Sequence, residues 1–287
     1  MEISRDVEYK SLNLLKILSF FDPYKLTTFE FSFKIKNKKM PREVRFLNMD
    51  PDGYSCKNKR LFLKRIELFE KILEKKCRNK DYKLVVNALK DISNTPLDIY
   101  FGADIKKDDY TFGFWLIFGG VKRDGKVNFW SYDFSKIVNS LLQDTGMKKS
   151  VELRKDILNF GFDITPDELY YKVYYLCREK IMQNSIFTEL MKEINSKLNN
   201  FKYFYFWSEM YTKEGNKVKE KLFIEFLEDL WSREKKLISI LLLNISKIKK
   251  IDINPHNLIK KISKIGGRIS LISFEADGTL TFYMRLN

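Results

Sequence analysis

Glu30, Arg45, Lys172, Tyr174, Lys219, Lys221, Tyr283 and Arg285 are the residues of this chain whose types and spacing could do chemistry. Each falls in a β-rich run where polar and apolar residues alternate, and successive strand side chains point to opposite faces. In FEFSFKI (29–35), Glu30, Ser32 and Lys34 alternate with Phe29, Phe31 and Phe33. If the phenylalanines pack under helices, Glu30 faces the other way. A carboxylate in a partly desolvated, aromatic-walled cavity tends toward a raised pKa, which suits general-base work near neutral pH. The competing reading is a Glu paired with a neighbouring Arg or Lys. The same parity sends Arg45 inward with Glu43 and Leu47, Lys172 with Tyr174, Lys219 with Lys221, and Tyr283 with Arg285. Arg and Lys clamp phosphate oxygens and Tyr hydroxyls bond them, so converging groups of this kind form a diphosphate site that needs no metal. For each lysine the alternative is a solvated outward face.

Aromatic residues are the third component. Tyr100, Trp115, Phe204, Phe206, Trp207 and Phe223 lie in or near strands. Aromatic faces stabilise a developing carbocation and shield it from water, against the plainer reading of core packing. Trp115 shares parity with Gly113 and Thr111, whereas Phe112 and Phe114 take the helix side. Trp115, Gly113, Phe204, Phe206 and Trp207 are the expected pocket residues.

Positioning such groups requires a sheet. Five return strands, PREVRFLNM (41–49), TFGFWLIF (111–118), YYKVYYL (170–176), KVKEKLFIEF (217–226) and LTFYMRL (280–286), each follow a turn-rich stretch and close a β-hairpin. The segments between hairpins carry helical stripes: Phe62, Ile66, Phe69 and Leu73; Ile186, Leu190, Ile194 and Leu198; and Leu230, Leu237, Leu241 and Ile245. Helices outside and a closed sheet inside satisfy both sets and leave no bare edge. The expected fold is α+β: a closed antiparallel barrel of about ten strands surrounded by helices, one domain over 1–287.

Composition narrows the function. At 287 residues and 44% hydrophobic content, one large core can form. The single histidine and the three cysteines, Cys56, Cys77 and Cys177, lack metal-ligand spacing, so no metal site is expected. LLKILSFF near the start is too short to span a bilayer, and a soluble, cytoplasmic protein is expected. The net charge of +15 suits nucleic acid, an anionic membrane surface or a phosphorylated substrate. A nucleic-acid-binding sheet would expose its strand aromatics, and no sequence signature of such a module is present.

Read together, FEFSFKI, EVRFLNMD (43–50), FGAD (101–104) and FGFD (160–163) as paired strand ends, and YKVYYL (171–176) resemble the cyanobactin-type peptide prenyltransferases, αββα-barrel enzymes that modify ribosomal cyclic peptides. The resemblance implies that Glu30 is the base that accepts the proton from the peptide nucleophile and that Arg45 is a diphosphate ligand. Tyr174 and Lys172 fall in the family's third-hairpin phosphate region, and Tyr283 and Arg285 in its last. On the second hairpin the chain departs, presenting Thr111 and Gly113 where the family has Lys and His. FKYFYFW (201–207) lies where the family sets donor length, and its bulky rings favour dimethylallyl over geranyl, with Gly113 arguing the other way. The implied partners are a prenyl diphosphate co-substrate and a peptide, linear or macrocyclic, with no nucleic acid or membrane partner and no tightly bound cofactor; Mg²⁺ is not required. A catalytically silent barrel that binds a phosphorylated metabolite is the remaining alternative.

Overall fold

The computed structural model describes residues 28–35, 43–49, 59–94, 98–106, 110–121, 127–129, 134–148, 157–176, 203–226, 267–275 and 279–286, with isolated positions between them. Twelve strands and three α-helices occupy these segments. The strands are β1 (Thr28–Ile35), β2 (Glu43–Met49), β3 (Asp98–Lys106), β4 (Tyr110–Ile117), β5 (Gly119–Val121), β6 (Val127–Phe129), β7 (Ile157–Ile164), β8 (Leu169–Leu176), β9 (Tyr203–Tyr211), β10 (Lys217–Phe226), β11 (Gly267–Glu275) and β12 (Leu280–Leu286). The helices are α1 (Lys59–Lys76), α2 (Tyr82–Asp91) and α3 (Phe134–Asp144).

Ten strands form one antiparallel sheet in the order β1-β12-β11-β10-β9-β8-β7-β4-β3-β2, and β2 pairs back with β1, so the sheet closes on itself. Five hairpins supply it: β1–β2, β3–β4, β7–β8, β9–β10 and β11–β12. Because every neighbour is antiparallel, all five hairpin connections lie at one end of the ring. The described turns are held locally. Thr165 N–H donates to Glu168 O at 2.9 Å, and Thr165 Oγ1 accepts from Glu168 N–H at 2.8 Å. Between β9 and β10, Thr212 N–H donates to Asn216 O, and Gly215 takes φ +86°, a conformation that glycine adopts without steric cost.

One buried cluster joins the helices to the outer face of the sheet. The Phe62, Ile66, Phe69 and Leu73 stripe of α1 is buried, and the Phe69 ring packs on Phe101, Phe112 and Phe114 at 5.1, 6.3 and 6.4 Å between centroids. α2 and α3 were not anticipated from the sequence, although Tyr82, Val85, Val86 and Leu89 recur at the spacing of one helix face. α3 ends at Gly146, whose φ of +65° lets Met147 N–H reach back to Leu142 O at 2.8 Å. β5 and β6 form a separate two-stranded ribbon, also unanticipated. The stripes at 186–198 and 230–245 fall almost wholly outside the described residues. FGAD and FGFD are not strand ends: FGAD sits mid-strand in β3, and FGFD lies inside β7.

Candidate active site in the barrel interior

A second buried cluster consists of Trp115, Ile117, Leu158, Tyr174, Phe206, Phe223 and Tyr283, with Tyr100, Leu176 and Leu271 against it. All lie on or beside barrel strands and none on a helix, so this cluster is the inner face. Counting away from the hairpin turns along the inner face divides it into two halves. Nearest the turns stand Asp104, Thr111, Asp163, Lys172, Ser208, Lys219, Lys221, Ser273, Glu275 and Thr281; farther along come Tyr100, Trp115, Tyr174, Phe206, Phe223, Leu271 and Tyr283. Among the described residues, polar side chains predominate toward the turns and aromatic ones farther along, with Tyr170 beside its turn and Asn159 and Glu225 at the far end as exceptions. Within each hairpin this division follows from strand alternation combined with register; between hairpins the register is offset, so that Tyr174 pairs with Ser208 and Phe223 with Ser273, and the two halves interlock.

The aromatic half is built of interlocked rings. Phe206 and Phe223, Cα partners across β9–β10, stack with centroids 4.5 Å apart and 6° between planes. Tyr174 leans on both, at 6.1 and 5.8 Å, and Tyr283 completes the row at 6.0 Å from Phe223. Ser273 Oγ lies 3.5 Å from the Tyr283 hydroxyl, at the boundary with the polar half.

Trp115 lies along the wall. A Cβ at Gly113 would stand 2.8 and 2.9 Å from its Cη2 and Cζ2, and one at Gly161 would stand 2.6 Å from its Cδ1. The two glycines therefore give up the space the indole fills. Gly113 was expected to enlarge the prenyl cavity, and the structure overturns that, because the Trp115 ring occupies its vacancy. Trp207 is a second correction. It belongs to the outer cluster and pairs in register with Leu222 and Tyr175, both of the outer core. Phe206 and Trp207 are consecutive in β9, so only one can face inward.

The polar half holds its lysines in ion pairs. Lys172 Nζ is bonded to Asp163 Oδ2, both side chains buried, and stands 6.0 Å over the Trp115 ring. Glu275 takes Lys219 Nζ on Oε2 at 2.6 Å and Lys221 Nζ on Oε1 at 2.7 Å. Burial works to raise the Glu275 carboxyl, but Lys221 and Lys219 outweigh it and hold the group below its ordinary value. Two carboxylates, Asp163 and Glu275, thus hold three lysines, and Asp104 is a third buried acid of this half. The acids were not anticipated, although Asp104 and Asp163 share strand parity with Gly102 and Gly161 in the FGAD and FGFD segments.

The remaining expected site residues are placed by backbone register. Glu30 is the Cα partner of Leu47 and Arg285, and Arg45 of Ser32 and Asp104. Phe204 pairs with Glu225. The positions of Glu30, Arg45, Arg285 and Phe204 are thus on the inner face, with Glu30 level with the aromatic half; their side chains lie outside the described residues. Among the described residues no three His, Cys, Asp or Glu side chains converge as metal ligands. No described helix is long and apolar enough to cross a membrane. Trp115, Phe206 and Phe223 are buried, contrary to what a nucleic-acid-binding sheet would need.

No family model matches the chain, and no curated protein matches its sequence. Solved structures do resemble it. The 5-dimethylallyl tryptophan synthase from Streptomyces coelicolor, in complex with DMASPP and Trp, is 11% identical with a TM-score of 0.65, covering 98% of this chain and 89% of that one. NotF prenyltransferase is 10% identical with a TM-score of 0.52 over 91% of this chain and 80% of its own. AnaPT from Neosartorya fischeri is 11% identical with a TM-score of 0.53 over 91% and 78%. At such low identity the likeness is one of architecture, and it is an architecture shared along nearly the whole chain: the protein has the fold of these prenyltransferases.

Proposed function

We propose that the chain is a prenyltransferase that moves an allyl group from its diphosphate to a nucleophilic side chain of a peptide, acting as one αββα-barrel domain in the cytoplasm. The observation that carries this reading is the division of the interior. A prenyl diphosphate is itself divided, with a polyanionic head and an apolar allyl tail. The head fits the half that holds Lys172, Lys219 and Lys221 beside Thr111, Ser208 and Ser273, and the tail fits the half walled by Tyr174, Phe206, Phe223 and Tyr283. Cations at the head neutralise the leaving diphosphate, and ring faces beside the tail stabilise the allyl cation by roughly 0.5 to 2 kcal/mol per contact. The register position of Glu30, level with the aromatic half, suits a base that takes the acceptor's proton as the acceptor attacks. Arg45, the register partner of Asp104, is assigned to the diphosphate on the same ground, whereas Arg285, the register partner of Glu30, is assigned to it from the sequence resemblance alone.

The stacked Phe206–Phe223 pair and the indole laid across Gly113 narrow the aromatic half and favour a dimethylallyl group over geranyl. The synthase complex holds a tryptophan, so free tryptophan is the first acceptor to compare with a peptide. Incubation with dimethylallyl or geranyl diphosphate and either a panel of linear and cyclic peptides or tryptophan, with and without Mg²⁺, is read by mass spectrometry. A gain of one prenyl unit on a peptide supports the full reading. A gain on tryptophan alone moves the acceptor from peptide to amino acid, and no gain on any acceptor refutes prenyl transfer.

A second reading, a barrel that binds a phosphorylated metabolite without turnover, is favoured by one observation. All three described interior lysines are already engaged by carboxylates, Lys172 by Asp163, and Lys219 and Lys221 by Glu275. It predicts diphosphate binding with no product under any of these conditions.

A further inference from the structure

Glu275 closes the β11–β12 turn, its N–H donating to Thr279 O at 2.9 Å, and its carboxylate is turned into the polar half of the interior. One oxygen meets Lys219 and the other meets Lys221, at 2.6 and 2.7 Å, while Glu275 and Lys221 are both buried. Two adjacent oxygens shared between two ammonium groups is also how one edge of a phosphoryl group is held. An isolated lysine at such burial tends to shed its proton, and a carboxylate beside it keeps it charged. The pair is therefore kept cationic, yet occupied.

We propose that Glu275 is the built-in counter-ion of the anion site, seated on the Lys219–Lys221 pair until an incoming diphosphate displaces its carboxylate. The inference rests on the diphosphate reading given above and adds to it a residue that sets affinity and charge selectivity. A ligand with a single negative charge gains little by replacing a carboxylate of equal charge. A diphosphate brings more charge than it displaces, so the exchange favours polyanions. Displacement also leaves Glu275 ionised in a polar interior, where the serine and threonine hydroxyls of Ser273, Thr279 and Thr281 lie on the same hairpin.

Titration calorimetry of the full chain with inorganic diphosphate at neutral pH tests this. Glu275→Gln removes the competing charge, and diphosphate binding should tighten on the order of 10- to 100-fold. Nitrate, which carries a single negative charge, should bind the parent weakly if at all and should gain detectable binding in Glu275→Gln. Glu275→Asp, too short to bridge both lysines, should give an intermediate gain and serves if the Gln variant folds poorly. Lys221→Met should weaken binding about tenfold or more. Unchanged or weaker diphosphate binding in both Glu275 variants, with Lys221→Met still impaired, overturns the displacement and leaves the anion site standing. Binding by no variant, or equal binding by Lys221→Met, overturns the diphosphate site and the inference with it.

Discussion

Replacing Gly113 by alanine tests the inner wall directly. The added Cβ would meet Trp115 Cη2 at 2.8 Å, Cζ2 at 2.9 Å and Asp163 Oδ1 at 3.1 Å. Carbon atoms in comfortable contact stand about 3.5 to 4 Å apart, so the indole would have to withdraw by several tenths of an ångström. Its other edge lies over Gly161, where an ideal Cβ would already be 2.6 Å from Cδ1, and the ring has little room to slide. Overpacking of this kind costs about 1 to 3 kcal/mol, measured as a lower urea midpoint at unchanged m-value. In a Trp115→Leu background the six-membered ring is gone, and the Gly113→Ala cost should fall to within about 1 kcal/mol, a coupling of roughly 1 to 2 kcal/mol in the double-mutant cycle. Gly161→Ala is the control. Its Cβ would sit 2.3 Å from the Phe114 carbonyl oxygen, a backbone atom, so the leucine background should relieve little of its cost. If Gly113→Ala is equally costly with and without the indole, the account of the paired glycines as the seat of Trp115 is wrong.

Asp163→Asn should be strongly destabilising, by about 3 to 5 kcal/mol, because it strips a buried lysine of its counter-ion; adding Lys172→Met should restore much of that loss, and equal stability of the parent and both variants in urea would contradict a buried pair. Glu30→Gln should lower prenyl-transfer turnover by about 100-fold or more while diphosphate binding by calorimetry changes little, and normal turnover would remove Glu30 from the mechanism. The Glu275 carboxyl titrates below its ordinary value of 4.5 in the folded protein, so its contribution to stability is complete above that value and is lost as pH falls below it. Thermal melting from pH 7 to pH 3 should therefore show the parent losing its advantage over Glu275→Gln only below about pH 4.5, and a gap that closes at higher pH would contradict the assignment.

Local pattern carried a large part of the fold. Alternation in TFGFWLIF and YYKVYYL places Phe112, Phe114, Tyr171 and Val173 on one face and Trp115, Lys172 and Tyr174 on the other, and the outer and inner clusters divide accordingly. The helical stripe of Phe62 to Leu73 is read the same way, from a period set by the backbone of a few residues. α2 was overlooked because its apolar run, with Val85 and Val86 adjacent, does not declare strand or helix until it is matched against a face.

What the sequence by itself determined is therefore the hairpins of the barrel, their turns and the two-sided character of each strand, since these depend on neighbours a few residues away. The tertiary structure alone decided which consecutive aromatic looks inward, Phe206 and not Trp207, because only the register of β9 with β8 and β10 assigns its faces. It likewise decided that the gap at Gly113 is filled by an indole from its own strand, and that Glu275 reaches Lys219 and Lys221 across β10–β11. Alternation tells a side chain which way to point. Only ring closure and register tell it what it will meet.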